Sequence, residues 1–232
     1  MKLGIMQPYF MPYIGYWQLM NYVDKYVIYD DVNFIKGGWI NRNRILLNGN
    51  PSFFNIPMIG ASSNKLINQI DVNLDKHVLG KKLRILEAAY EKAPQFPNVY
   101  PLLEKILGSE IENLAEYISN SIYLVSEYLG ISTKFIVSSS LEKNCSLRGQ
   151  EKVISICEIL GADEYCNAIG GRELYSKQEF QRHNITLKFL ESDRISYKQF
   201  DNEFQANLSL IDVMMFNSQK EIQQMLMKYR LI

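Results

Sequence analysis

Residues 1–31, MKLGIMQPYFMPYIGYWQLMNYVDKYVIYDD, are the most informative stretch of this 232-residue chain for predicting its fold. They open with a short apolar strand that Gln7-Pro8 interrupts, and an aromatic turn then leads into a helix. A second apolar run follows the helix and ends in Asp30-Asp31. Polar groups gathered where a strand gives way to a helix N-terminus are typical of ligand sites in open α/β folds. The opening therefore predicts both the fold class and the region of the site.

Hydrophobic periodicity predicts alternating strands and helices at both ends of the chain and a helical middle. The predicted strands lie at about 2–6, 26–32, 51–57, 133–137, 164–167 and 185–190. The predicted helices lie at about 14–23, 76–92, 98–107, 110–129, 148–160, 176–182 and 219–229. Residues 33–50 read as a loop-rich segment with a hairpin turn at Asn48-Gly49. This order predicts one α/β domain over residues 1–232, with a mostly parallel, Rossmann-like open sheet and a helical insertion at approximately 74–130.

Composition limits the partners of the chain. Lys and Arg total 25, as do Asp and Glu, and the isoelectric point is near 6.7, so no net charge recruits nucleic acid or an anionic membrane. The apolar runs fall far short of the roughly 20 residues that span a bilayer, and the N-terminus lacks a signal-peptide pattern. Three cysteines without C-x-x-C spacing argue against structural zinc and a disulfide framework. We therefore expect a cytoplasmic protein with no metal site; the sequence indicates neither a cofactor nor an oligomeric state.

The turn after the first strand is the first candidate site. Its two prolines cannot donate backbone hydrogen bonds, so they fix an irregular turn and leave neighbouring N–H groups free. Gln7 supplies an amide that both donates and accepts, and Gly15 permits close packing against a strand or a ligand. The alternative interpretation is that the aromatic residues of the turn only fill the core. The substrate-binding residues predicted here are Gln7, Tyr13, Gly15 and Tyr16.

The same turn is similar in layout to the nucleotidylyltransferase superfamily, pantothenate synthetase included. Those enzymes open their first helix with His-x-Gly-His, where this chain has Tyr13-Ile14-Gly15-Tyr16. The histidines of that superfamily stabilise charge on the transferred phosphate, whereas a tyrosine hydroxyl carries no positive charge at neutral pH. The resemblance therefore implies a shared fold far more than it implies nucleotidyl transfer.

A second polar cluster follows the second predicted strand. Two adjacent carboxylates at a strand end point to opposite faces, so at most one of them faces a cleft. Lys36, with Arg42 or Arg44, has the chemistry to clamp a phosphate or carboxylate, and the neighbouring asparagines can bind hydroxyls or amides. The alternative is a solvated loop whose charges pair with one another. The predicted roles are a catalytic one for Asp31 and substrate-binding ones for Lys36, Asn41, Arg42 and Asn43.

Two further positions are candidates. His77 begins a long predicted helix, where the helix dipole disfavours the imidazolium and leaves a neutral ring that can act as a general base. The other histidine, His183, lies at a polar helix end and reads as surface. Asn167 and Gly170-Gly171 lie between a short strand and a helix, where paired glycines allow a close backbone approach to a ligand. The same residues also fit a plain strand-to-helix turn.

Together, these motifs resemble the WbqC-like family. The resemblance covers nearly the whole chain, and the opening motif is its most specific part. Two positions depart from the pattern: Tyr13 stands where the family often has Trp, and Ser218 where Gly is common. The matching stretches are Ile5 to Tyr16, Asp30 to Phe34, Asn41-Arg42-Asn43, the strand ending at Pro57, Lys76-His77, Tyr90 to Pro94, Leu160 to Ala162, Gly170-Gly171, Leu208 to Asp212 and Asn217.

The resemblance implies a place in bacterial surface-polysaccharide or O-antigen synthesis. The activity it favours is a cytoplasmic transferase that modifies a nucleotide-activated sugar or amino sugar, for example by N-acylation, with this nucleotide sugar as the small-molecule substrate. His77 or Asp31 would be the base, and Lys36 and Arg42 would bind the anionic groups. Two alternatives stay open at this point. One is a non-catalytic binding or assembly protein of the same pathway, and the other is nucleotidyl transfer or adenylation without the histidine motif.

Overall fold

Strands and helices alternate at both ends of the chain in a computed structural model that describes residues 1–201 and 203–232. The strands are β1 (Lys2–Met6), β2 (Lys25–Ile28), β3 (Arg42–Leu47), β4 (Asn50–Asn55), β5 (Met58–Ile59), β6 (Asp71–Val72), β7 (Lys134–Val137), β8 (Glu164–Ala168), β9 (Thr186–Ser192) and β10 (Tyr229–Leu231). The helices are α1 (Ile14–Tyr22), α2 (Lys76–Tyr90), α3 (Phe96–Leu107), α4 (Leu114–Leu129), α5 (Gly149–Leu160), α6 (Lys177–Arg182), α7 (Leu210–Phe216) and α8 (Gln219–Met225).

The main sheet has six strands in the order β10-β9-β8-β1-β2-β7. All neighbouring pairs are parallel except β10 with β9, which confirms the predicted mostly parallel, Rossmann-like α/β sheet. The chain moves from β1 to β2 and β7 in one direction, and then returns to add β8 and β9 on the other side of β1. The strand order therefore reverses between β1 and β8, and open α/β sheets bind ligands at the carboxyl ends of strands beside such a switch point.

The sheet separates two hydrophobic cores. The larger core contains the buried side chains of α1, α3, α4, α7 and α8, including Trp17 and Tyr117. The smaller core lies on the opposite face, where α5 and α6 cover β1 and β8 with residues such as Val153 and Phe180. Helices on both faces are the arrangement that buries a parallel sheet. None of the helices within the described residues is long and apolar enough to cross a membrane.

The predicted hairpin is confirmed in detail. β3 and β4 pair antiparallel, with Leu47 opposite Asn50. Asn48 and Gly49 both have positive φ, 52° and 75°, as a two-residue type I′ turn requires. The prediction of a loop-rich segment over residues 33–50 was wrong for β3, because its first half, a buried Asn43 between the half-buried Arg42 and Arg44, does not follow hydrophobicity.

Other predicted elements differ from the structure at their ends. The strand expected to reach residue 32 ends at Ile28, and the helix expected from 110 begins at Leu114 because Asn113 caps it. The final helix was predicted through 229, but α8 ends at Met225 and the chain turns back as β10. β10 and the helix α7 were both missed, since a three-residue edge strand and a seven-residue helix carry little periodicity.

Candidate functional site

The candidate site lies at the carboxyl edge of the sheet, where β1 and β2 end side by side. The Tyr29 N–H donates to the Met6 carbonyl at 2.8 Å, so Gln7 and Asp30 follow on neighbouring strand ends. The Gln7 carbonyl accepts from the Tyr16 hydroxyl at 2.6 Å, and its side-chain oxygen accepts from Tyr9 at 3.3 Å. Gln7 is thus held at the strand end, although it lines neither of the two cavities described below.

The turn that follows β1 is strained, and buried polar groups hold it. Met11 has a φ of 45°, which non-glycine residues rarely adopt. Its carbonyl accepts from the Asn43 side chain at 3.0 Å and from the Ser209 hydroxyl at 2.7 Å. The Phe10 N–H donates to the Ile40 carbonyl at 2.8 Å. Strain that the surroundings enforce in this way is common where a fold positions a functional site.

This turn forms one wall of a cavity of about 350 Å³, which we call the aromatic cavity. Its lining includes three aromatic rings and one arginine. The Arg44 guanidinium lies 5.9 Å from the centre of the Trp39 ring. The Nε atom of Arg44 is buried and has no hydrogen-bond partner among the described residues, while another of its nitrogens donates to the Asn207 carbonyl at 3.2 Å. The cavity is lined by Tyr9, Pro12, Tyr13, Trp39, Asn43, Arg44 and Asn207.

The helix start beside the aromatic cavity explains the glycine in the opening motif. A Cβ on Gly15 would lie 2.4 Å from the Tyr13 ring, so only glycine lets that ring fold back over the first turn of α1. Tyr13 is 37% exposed and lines the cavity. Tyr16 is fully buried, and burial raises the pKa of its hydroxyl. Of the two tyrosines of the tetrad, only Tyr13 is therefore accessible to a ligand.

The end of β2 carries two carboxylates that point to opposite faces of the sheet, as predicted. Asp30 accepts from the Ser139 backbone at 2.9 Å, from the Ser139 hydroxyl at 2.6 Å and from the Asn68 amide at 3.1 Å. It lines a cavity of about 480 Å³ between the sheet edge and α4, which we call the amide cavity. That cavity is lined by Asp30, Asn68, Ile111, Asn113, Ala115, Glu116, Ser119, Asn120, Tyr123, Val137 and Ser139.

Asp31 lies on the other face in a buried ion-pair cluster. Its carboxylate is 3.0 Å from the ammonium groups of both Lys143 and Lys152, whose side chains are 2% and 6% exposed. Lys152 also donates to the Asp31 carbonyl and lies over the Tyr29 ring. Burial alone would raise the pKa of Asp31, but Ser138 and the two lysines outweigh it and lower that pKa below the ordinary value. The cluster ties β2 to α5 and to the loop after β7.

Several predicted site residues have structural contacts instead of facing a cavity. Asn41 donates to the Ile56 carbonyl at 3.0 Å, which closes the segment around the hairpin. Arg42 lies on the same hairpin face as Arg44, but it donates to the carbonyls of Gly37 and Gly38 and does not line the aromatic cavity. The hairpin therefore presents the second arginine, Arg44, to the cavity.

Other predicted residues lie away from both cavities. Lys36 is exposed, and His77 is exposed on the first turn of α2, a helix that packs on α3 and β3. Asn167 is buried at the end of β8, where it donates to the Tyr165 hydroxyl at 2.6 Å and packs against Gly171. These positions, with the exposed Gly170, line neither the aromatic nor the amide cavity.

The fold and its cavities define a Rossmann-like α/β protein with a mainly aromatic cavity and a more polar cavity at the carboxyl edge of its sheet. A family model described as the WbqC-like protein family matches residues 7–224. The chain therefore belongs to the WbqC-like family, which is associated with polysaccharide biosynthesis. An uncharacterized protein of Mycobacterium tuberculosis is 27% identical over 217 residues, covering 92% of each chain. No solved structure matches the chain.

Proposed function

We propose that the protein is a cytoplasmic transferase that modifies a nucleotide-activated sugar or amino sugar during surface-polysaccharide synthesis. The aromatic cavity is the observation that carries this proposal. Tyr9, Tyr13 and Trp39 offer flat apolar surface for a nucleobase, as ligand sites commonly do. Arg44 supplies a guanidinium whose buried Nε is unpaired among the described residues, and such a fork suits the oxygens of a diphosphate.

The remaining groups of the edge suit the sugar. Gln7 and Asp30 occupy neighbouring strand ends, and Asp30 lines the amide cavity. Amides and carboxylates are the groups that bind sugar hydroxyls. In the geometry we propose, the nucleotide occupies the aromatic cavity and the sugar extends past Gln7 toward Asp30.

The transferred group that we favour is an acyl group from an activated donor such as a thioester. The sugar amine would form a bond to the acyl carbon, the bond from that carbon to the donor sulfur would break, and the thiolate would leave. The amine would lose one proton, for which Asp30 is the nearest acceptor in this proposal. Among the carboxylates at this edge we prefer Asp30 to Asp31, because a lowered pKa makes Asp31 a weaker base.

The experiment that tests the proposal is calorimetric titration with a panel of nucleoside diphosphates and nucleotide sugars. We expect at least one nucleotide sugar to bind, and Arg44→Ala to weaken it about tenfold or more because one charge-assisted contact is lost. Arg84→Ala is the matched control, since Arg84 is an exposed cation on α2 that lines neither cavity. Absence of binding across the panel, or equal effects of the two variants, would contradict the proposal.

One observation favours a second candidate, a non-catalytic binding protein of the same pathway. Asp30 already accepts three hydrogen bonds and one oxygen of Asp31 is paired with two lysines, so both carboxylates already have structural partners, unlike a typical general base. Asp30→Asn separates the two candidates once a turnover is found. A fall in turnover larger than the fall in nucleotide-sugar affinity supports the transferase. Turnover that Asp30→Asn leaves unchanged does not arise at this carboxylate and supports the binder.

A further inference from the structure

Hydrogen-bond acceptors from three side chains are available to a ligand in the amide cavity. Asp30 and Asn68 retain oxygen lone pairs after their contacts with each other and with Ser139. The Ser119 hydroxyl donates to the Ala115 carbonyl at 2.7 Å, so only its oxygen remains available, as an acceptor. The free groups of Asp30, Asn68 and Ser119 are therefore acceptors, and a ligand must supply the donors that reach them.

The charged side chains that line the cavity are all acidic. Its lining includes the carboxylates of Asp30 and Glu116 but no lysine, arginine or histidine. The N-terminus of α4 does not offset this, because the side chain of Asn113 accepts from the free N–H groups of Ala115 and Glu116. A phosphate or carboxylate would meet like charge here, whereas an ammonium group would meet two opposite charges.

Two groups on α4 complete the cavity. Asn120 is half-buried, and its amide makes no hydrogen bond to any described residue. Tyr123 is 39% exposed, lies 5.3 Å from Phe135 between ring centres, and presents both a flat ring and an unpaired hydroxyl among the described residues. Burial and, to a smaller extent, the charge of Asp30 raise the pKa of Tyr123. A ring face beside amides suits a sugar ring.

We infer that the amide cavity is the subsite for an amine-bearing sugar ring, which it binds through its hydroxyl and ammonium donors while excluding phosphate. The inference rests on the proposed function and identifies where the sugar part of that substrate lies. It also gives the helical insertion a role, because α4 supplies Glu116, Asn120 and Tyr123 to a site that the sheet edge alone would leave open.

The test is NMR titration of the isotope-labelled protein with glucosamine, glucose and glucose 6-phosphate as probes. We expect glucosamine to perturb the side-chain amides of Asn68 and Asn120 and to bind about tenfold more tightly than glucose, with glucose 6-phosphate weaker still. Asn120→Ala should weaken glucosamine about three- to tenfold. It should fold normally, because the amide it removes has no partner among the described residues and alanine favours the helix.

Glu116→Gln gives the charge test, with Glu110→Gln as its control at an exposed position that does not line the cavity. Glu116→Gln should reduce the preference for glucosamine over glucose, and Glu110→Gln should leave it unchanged. Glucose 6-phosphate binding as tightly as glucosamine, or perturbations away from the cavity, would overturn the inference. If nucleotides bind at the aromatic cavity but glucosamine does not bind, the inference fails alone; if glucosamine binds and nucleotides do not, the proposed function fails alone.

Discussion

Asp30 and Asp31 are adjacent in the chain, yet they end on opposite faces of the sheet in opposite surroundings. Asp30 accepts hydrogen bonds from neutral partners and lines an open cavity. Asp31 is paired with two buried ammonium groups and lines neither the aromatic nor the amide cavity. The difference shows that the face of a strand end, rather than the residue type, separates a ligand-facing carboxylate from a structural one.

The largest expected effect comes from breaking the Asp31 cluster. Asp31→Ala leaves Lys143 and Lys152 buried without their counter-charge, so we expect the free energy of unfolding to fall by ~3–5 kcal/mol. Urea unfolding at neutral pH measures this. The matched control is Glu179→Ala, which removes an exposed ion pair with Arg182 and should leave the midpoint nearly unchanged. Equal effects of the two substitutions would mean that the Asp31 cluster is not a structural anchor.

The same cluster gives a pH dependence with a definite sign. Because the folded-state pKa of Asp31 is lowered, its contribution is complete above the unfolded-state value of about 3.9 and is lost as the pH falls toward the folded-state value. The stability difference between wild type and Asp31→Ala should therefore shrink as the pH is lowered below about 4. Unfolding curves at a series of acidic pH values check this, and a difference that grows on acidification would reverse the sign we assign.

A smaller loss of stability is expected on the other face. Asp30→Asn keeps one acceptor oxygen but places an amide nitrogen near the donors of Ser139 and Asn68, so we expect a loss of ~1–2 kcal/mol. The same change should reduce the preference for glucosamine over glucose, since one of the two carboxylates of the cavity is lost. Urea unfolding and NMR titration measure the two effects separately. A loss as large as that of Asp31→Ala, with unchanged ligand preference, would make Asp30 a structural residue as well.

The least destabilising change tests the aromatic cavity. Gly15→Ala would force the half-exposed Tyr13 ring away from the first turn of α1, while alanine itself favours the helix by ~1 kcal/mol. We expect little change in thermal midpoint but weaker nucleotide binding, since Tyr13 forms part of the cavity wall. Tyr13→Ala with Gly15→Ala provides the control: the second substitution should have no further effect on binding once the ring is absent.

The backbone elements that surround the site could be predicted from the sequence, because they depend on local patterns. The strand-turn-helix opening, the Asn48-Gly49 turn and the opposite directions of Asp30 and Asp31 all follow from nearest-neighbour geometry. The choice between Arg42 and Arg44 did not follow, because both lie on one hairpin face. Their different ring contacts and carbonyl partners separate them only in the folded structure.

The residues from distant parts of the chain could not be predicted in this way. Lys143 and Lys152 reach Asp31 over more than a hundred positions, and α4 brings Asn120 and Tyr123 to Asp30 only because this helix packs beside β7. No local periodicity encodes where a helix packs. The same limit applies to His77. Its place at a helix start suggested a general base, but its helix packs on α3 and β3, and the sequence does not reveal that packing.

The most direct test of where the substrate binds is a crystal structure with the nucleotide sugar that binds most tightly in the titration panel. We expect the base against Tyr13 and Trp39, the diphosphate at Arg44, and the sugar within hydrogen-bond distance of Asp30, with Asp31 still paired to its two lysines. A sugar bound against Asp31, with Lys143 and Lys152 turned outward to the diphosphate, would contradict this expectation.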